Sequence, residues 1–109
     1  MDFDNYQKSA KKTAIYPNKG NNLVYPTIGL SGETGELANK VKKVIRDHDG
    51  VITKEMKLDI SKELGDVLWY VAALAWELGL PLSSIAKENL KKLSSREKRE
   101  KLGGSGDNR

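Results

Sequence analysis

Apolar positions recur along this chain at helical spacing, and no β-branched alternation runs long enough to build a sheet, so the expected class is all-α. Four helices are predicted. The first covers Asp4–Tyr16, with Tyr6, Ala10, Thr13 and Ala14 near one side, lysines on the other and Pro17 as the stop. Asn18–Asn22 reads as a turn-rich loop. Pro26 suits the first position of a second helix running to about Asp47, and His48-Asp49-Gly50 ends it with Gly50 as the reversal point. Thr53 caps a third helix from Lys54 to Leu78, closed by Gly79–Pro81. Ser83 or Ser84 caps a fourth, from about Ile85 to Lys101. Residues 1–102 are expected to form one domain and 103–109 a Gly-rich polar tail that cannot pack alone.

The third helix is the most apolar. Ile60, Leu64, Val67, Leu68, Val71, Leu74, Ala75 and Leu78 make a broad face, which Trp69, Tyr70 and Trp76 widen. A helix apolar nearly all round is buried on most sides. Either part of it meets a second subunit, or it fills the core of a monomer.

Composition narrows the chemistry. A chain of 109 residues with net charge +4 is one domain with a modest core, for which association adds stability. It has no Cys, which removes disulfides, thiolate nucleophiles and the usual zinc ligand sets. The single His48 leaves no material for a His-rich metal site or a His-centred triad. The longest apolar run, Val67–Trp76, is too short to span a bilayer, and Met1–Tyr6 carries two Asp and no apolar signal region. A cytoplasmic location without membrane contact is therefore expected. Lys91–Lys101 supplies much of the positive charge and suits nucleic acid, a nucleotide's phosphates or water alone.

Against this basic background stand two acidic signatures, Glu33-x-x-Glu36 and Glu63-x-x-Asp66. A three-residue step on a helix returns almost to the same face, so each pair points two carboxylates one way. Twenty-six residues separate Glu36 from Glu63, enough for a helix end, a reversal and a new start. An antiparallel hairpin of the second and third helices would bring the pairs face to face. Two carboxylates ~4 Å apart repel by roughly 1–4 kcal/mol, so four in one place call for cations. An all-oxygen ligand set favours Mg²⁺ or Mn²⁺ over zinc or copper, and Mg²⁺ suggests phosphate chemistry. A di-iron bundle needs two Glu-x-x-His elements, and the chain has none. The plainer reading is a solvated face on which Lys40 or Lys62 pairs with the acids.

Gly29, Gly32 and Gly35 interleave with the first pair and Gly65 sits inside the second. Interior helical Gly costs about 1 kcal/mol relative to Ala, so several together suggest close approach by another helix or a ligand. The alternative is that the second helix starts near Ser31 and leaves Gly29 in a loop. No Gly-Lys-Ser/Thr ending follows, which excludes a P-loop. On the fourth helix Asn89, Lys92 and Arg96 share one face, a reasonable grip for phosphates or a nucleotide edge. Tyr70 lies one turn after Asp66 and either directs its hydroxyl at the same site or fills an interface.

Taken together, these residues resemble the MazG-like family of all-α nucleoside triphosphate pyrophosphohydrolases. Tyr6-Gln7 with Thr13-Ala14-Ile15-Tyr16-Pro17 is similar to the family's first helix. Gly29–Leu37 and Glu63–Tyr70 are similar to its two metal motifs. Asn89–Leu93 with Arg96, then Gly106-Asp107-Asn108-Arg109, are similar to the ending of single-domain members. One departure stands out: Arg99-Glu100-Lys101-Leu102 replaces the Arg-Gly pair common there. The resemblance implies a four-helix subunit whose antiparallel second and third helices carry the metal site. It implies Mg²⁺-dependent cleavage of a nucleoside triphosphate between the α and β phosphates, giving a monophosphate and pyrophosphate. Glu33, Glu36, Glu63 and Asp66 would be metal ligands, with one carboxylate orienting the attacking water. Lys40, Asn89, Lys92 and Arg96 would hold phosphates, Tyr70 would line the site, and the assembly would be a dimer or a dimer pair.

A rival reading from another class is a helical interaction module whose basic fourth helix binds nucleic acid. Within the enzyme class the base is open: damaged nucleotides, dUTP, dCTP, a dimeric nucleotide or phosphoribosyl-ATP are all candidates. The choice would depend on the pocket near Tyr6, Trp69 and a partner chain.

Overall fold

The computed structural model describes residues 1–109 and contains four helices, α1 (Phe3–Lys11), α2 (Val24–His48), α3 (Lys54–Glu77) and α4 (Leu82–Lys98), with no strand. α2 and α3 form the long hairpin that the acidic spacing predicts. α1 packs across α3, and α4 touches α1 and α3 but not α2. No single helix is long and apolar enough to cross a membrane.

Local chemistry explains the boundaries, and it moves four of them by more than one residue: the end of α1, the start of α2 and both ends of α4, which stops at Lys98 rather than Lys101. α1 begins where the Asp2 carboxylate accepts the Asn5 N–H at 2.7 Å. It ends at Lys11, five residues before the predicted Tyr16: the N–H groups of Lys12, Thr13 and Ala14 turn to the carbonyls of Ser9, Ala10 and Lys11, and Tyr16, which precedes Pro17, is disfavoured in helical backbone. Tyr16 instead buries its ring against Tyr25, centroids 4.8 Å apart, and donates its hydroxyl to Glu77. Glu77 also accepts the backbone N–H groups of Gly20 and Asn22, which ties the 16–22 loop to the end of α3. α2 starts at Val24, so Pro26 is its third residue, where a missing N–H still costs nothing. Asp49 already takes the left-handed backbone expected at Gly50, with φ of 53° and 77° at the two positions.

α3 stops in a glycine-terminated reversal: Leu80 N–H reaches Ala75 O and Gly79 N–H reaches Trp76 O, with Gly79 at φ 72°. α4 then leaves at 101° to α3. It begins at Leu82, three residues early, and neither Ser83 nor Ser84 is its cap. The caps come from α1: Gln7 Oε1 accepts the Leu82 N–H, and Asp4 accepts the Ser83 N–H and hydroxyl. Beyond α4 the tail closes on itself. The Arg109 guanidinium donates to the carbonyls of Lys101, Leu102, Gly103 and Gly106.

The core is small. Ala72, Ala75 and Leu82 are buried together, with Tyr6 and Val71 packed on them. α3 is covered on its alanine side, but Leu64, Leu68 and Leu78 remain open, so it is not buried on most sides within one chain. The radius of gyration is 16.7 Å, against ~13 Å for a compact domain of this length.

Candidate metal centre

α2 and α3 run in opposite directions with a fixed register. As α2 passes through Gly29, Glu33, Glu36 and Lys40, α3 passes through Tyr70, Asp66, Glu63 and Asp59. One-turn steps on both helices keep these residues on the facing surfaces. Glu33, Glu36 and Glu63 each offer a carboxylate oxygen within 4.8 Å of the others. Asp66 lies just beside this trio and shares an open pocket of about 310 Å³ with Glu33, Tyr70, Trp69 and Thr13.

The electrostatics of the trio are uneven. Glu63 is 7% exposed, and its Oε1 lies 2.7 Å from the Lys40 ammonium. Lys40 also reaches Asp59 at 3.1 Å. That ion pair holds Glu63 below the usual carboxylate range and Lys40 above its own. Glu33 has no such partner. Burial pushes it up, reinforced by Glu63, Asp66 and Glu36. Glu33 Oε2 and Glu63 Oε2 are both buried without a hydrogen-bond partner. Buried carboxylate oxygens are rarely left so. A divalent cation bound by oxygen ligands would satisfy both, so the donor set fits Mg²⁺ or Mn²⁺ in kind. Lys40 does pair with an acid, as the plainer reading held, but Glu63 is buried rather than part of a solvated face.

Tyr70 is fixed from behind. A Cβ placed on Gly29 would stand 2.6 Å from Tyr70 Cδ1 and closer still to Cε1 and Cζ. Gly29 is helical, and it alone among the four glycines of the acidic motifs meets a close neighbour. Gly32, Gly35 and Gly65 face open space. Burial, then the adjacent Tyr25 and Glu33, raises the Tyr70 hydroxyl above its ordinary value, so it stays a neutral donor.

The structure does not bring the fourth-helix residues to the acids within one chain. Asn89 and Lys92 line a separate open pocket of about 520 Å³ with Ser84, Ile85 and Glu88. Arg96 is 4% exposed and donates to the Asp107 carbonyl at 2.8 Å, while Lys92 reaches the Asp107 carboxylate at 3.0 Å. Three residues at the centre escaped sequence reasoning in these roles: Asp59 as the second anchor of Lys40, Gly29 as the seat of Tyr70, and Thr13 as the partner of Trp69. The spacing of Asp59 to Glu63, one turn, was the available signal for the first.

Comparison with known proteins agrees with this geometry. The family model described as MazG nucleotide pyrophosphohydrolase domain matches residues 27–100, which include both acidic motifs and all of α3 and α4. The chain is 54% identical to the Gene 37 protein of Mycobacterium phage L5 over the full length of both. No solved structure matches.

Proposed function

The chain belongs to the MazG nucleotide pyrophosphohydrolase domain family, and from that premise we propose that it hydrolyses nucleoside triphosphates, ribo or deoxy, at the α–β phosphoanhydride. The products are a nucleoside monophosphate and pyrophosphate. The observation that carries this reading is the convergence of Glu33, Glu36 and Glu63 with two buried carboxylate oxygens lacking partners. Glu33, Glu36, Glu63 and Asp66 would hold Mg²⁺, or Mn²⁺ in its place. When bound, the cation supplies charge neutralisation at the phosphate oxygens and a more acidic water. One of the carboxylates would orient the attacking water and accept its proton as the water oxygen adds to the α phosphorus and the α–β P–O bond breaks, with pyrophosphate leaving. Tyr70 lines the site as a neutral hydrogen-bond donor.

Lys40 is assigned to the centre's charge balance, and to phosphate contact when a cation displaces it from Glu63. Asn89 and Lys92 are assigned to phosphate binding across a homodimer or homotetramer, since α4 does not touch α2 in one chain; Arg96, whose buried guanidinium is held by Asp107, would join them once the tail releases it. The open faces of Leu64, Leu68, Ile28 and Ile45 support such an assembly. The proposed setting is the cytoplasm, as pool sanitising or nucleotide regulation.

The test is pyrophosphate release from a panel of standard and damaged NTPs and dNTPs with Mg²⁺, alongside calorimetric metal titration of wild type and Glu63→Ala. Release that needs metal, together with metal binding lost in Glu63→Ala, is expected. Inactivity across the panel with a folded, metal-silent protein would overturn the reading. Salt-dependent nucleic-acid affinity that survives Glu63→Ala would favour the interaction module instead.

A further inference from the structure

Beside the acids stands an aromatic corner whose two walls are each locked by a residue that carries no chemistry of its own. Trp69 and Tyr70 meet edge to face, with centroids 5.0 Å apart and planes at 82°. The Trp69 indole N–H donates to Thr13 Oγ1 at 2.8 Å. The same hydroxyl donates to Ala10 O at 2.6 Å, so both of its hydrogen-bonding directions are used to hold the ring. Tyr70 rests on the bare backbone of Gly29, where any side chain would collide with the ring. Gly29 costs α2 stability as an interior helical glycine, and no tight turn or positive φ requires it.

The corner opens into the pocket that Glu33 and Asp66 also line. Its volume, about 310 Å³, lies at the lower end of the ~300–1,000 Å³ of small-molecule sites, which suits one planar ring better than a whole nucleoside triphosphate. Resting on the nucleotide reading above, we infer that Gly29 and Thr13 are positioning residues that fix Tyr70 and Trp69 as the stacking site for the substrate's base. The base packs on one ring and meets the edge of the other, while its phosphates extend towards the carboxylates. Stacking on π-faces tolerates every base, so this corner supplies grip rather than choice among bases.

The experiment uses the Trp76→Phe protein, in which Trp69 is the single tryptophan and is excited selectively over the tyrosines, because Trp76 lies off the corner against Lys11. Its fluorescence is titrated with deoxynucleoside monophosphates in Mg²⁺, and inorganic tripolyphosphate binding is measured by calorimetry on the same protein. Nucleotide is expected to quench Trp69. Gly29→Ala should weaken that binding roughly 5–150-fold, the span of a base–aromatic stack, with tripolyphosphate affinity unchanged. Thr13→Val, which introduces no collision, should show the same split to a smaller degree, and Thr13→Ser should restore it. Absence of quenching, equal weakening of both ligands, or unaltered nucleotide affinity in both Gly29→Ala and Thr13→Val would each overturn the inference. A protein that shows the split but releases no pyrophosphate from any nucleotide would leave this site standing and remove the hydrolase reading.

Discussion

Lys40 on α2 places its ammonium 2.7 Å from Glu63 on α3, so the acid trio already holds one positive charge of its own. The pair spans the hairpin and is in part a stand-in for the cation the site would take. Lys40→Met should therefore lower the melting temperature in chelator, since Glu63 is left buried without its partner. Saturating Mg²⁺ should reverse most of that loss and bind at least as tightly as in wild type. Melting curves with and without metal check this, and a loss that metal does not repair would count against a shared site.

Glu33 offers the opposite sign. Its buried, unpartnered oxygen and its three acidic neighbours make it a source of instability without metal. Glu33→Gln should raise the melting temperature of the metal-free protein while lowering pyrophosphate release by more than about 100-fold. The two measurements together separate a functional acid from a structural one.

Glu77 sets an acid limit on stability. Burial raises it, but the Tyr16 hydroxyl and the N–H groups of Asn22 and Gly20 outweigh burial, and the net shift is downward. A carboxylate depressed on folding contributes stability that is full above its unfolded value of ~4.3 and is lost as pH falls through the lower folded value. Tyr16→Phe should cost roughly 1.5–3 kcal/mol at neutral pH, the range for a hydrogen bond to a charged group. The deficit should shrink as the pH drops towards 3, which denaturant melts across pH would show.

Glu100 carries a left-handed backbone, φ 55°, in the segment that leads from α4 into the tail. A side chain with a Cβ pays ~1–2 kcal/mol for that conformation. Glu100→Gly should thus stabilise the turn that leads into the tail by about 1 kcal/mol, read as a higher unfolding midpoint at unchanged slope. A lower midpoint would show that Glu100 makes a compensating contact.

The elements of the centre were legible because they are periodic. Glu33, Glu36, Glu63 and Asp66 sit at steps that a helix turns to one side, and the 26 residues between the pairs leave room for a hairpin. Thr53 announced the start of α3 and Gly79 its end for the same local reason. What failed was non-local. The start of α4 is set by Asp4 and Gln7, far away in the chain, so the nearby serines misled. Tyr16 left α1 for a partner 61 residues on. The glycines showed that something approaches closely, yet only the packed helices reveal that Gly29 meets a ring and Gly32 meets nothing. Placement of Asn89, Lys92 and Arg96 likewise depends on the 101° turn between α3 and α4, which no spacing within α4 encodes.

The caps that Asp4 and Gln7 place on α4 give the protein an order of assembly. During synthesis the first helix leaves the ribosome with both side chains idle, and their partners at Leu82 and Ser83 emerge only after the whole hairpin has been made. The last helix cannot start cleanly until the earliest residues return to it. The first helix thus fastens the start of the last, and loss of Asp4 and Gln7 would be felt as fraying at Leu82 and Ser83.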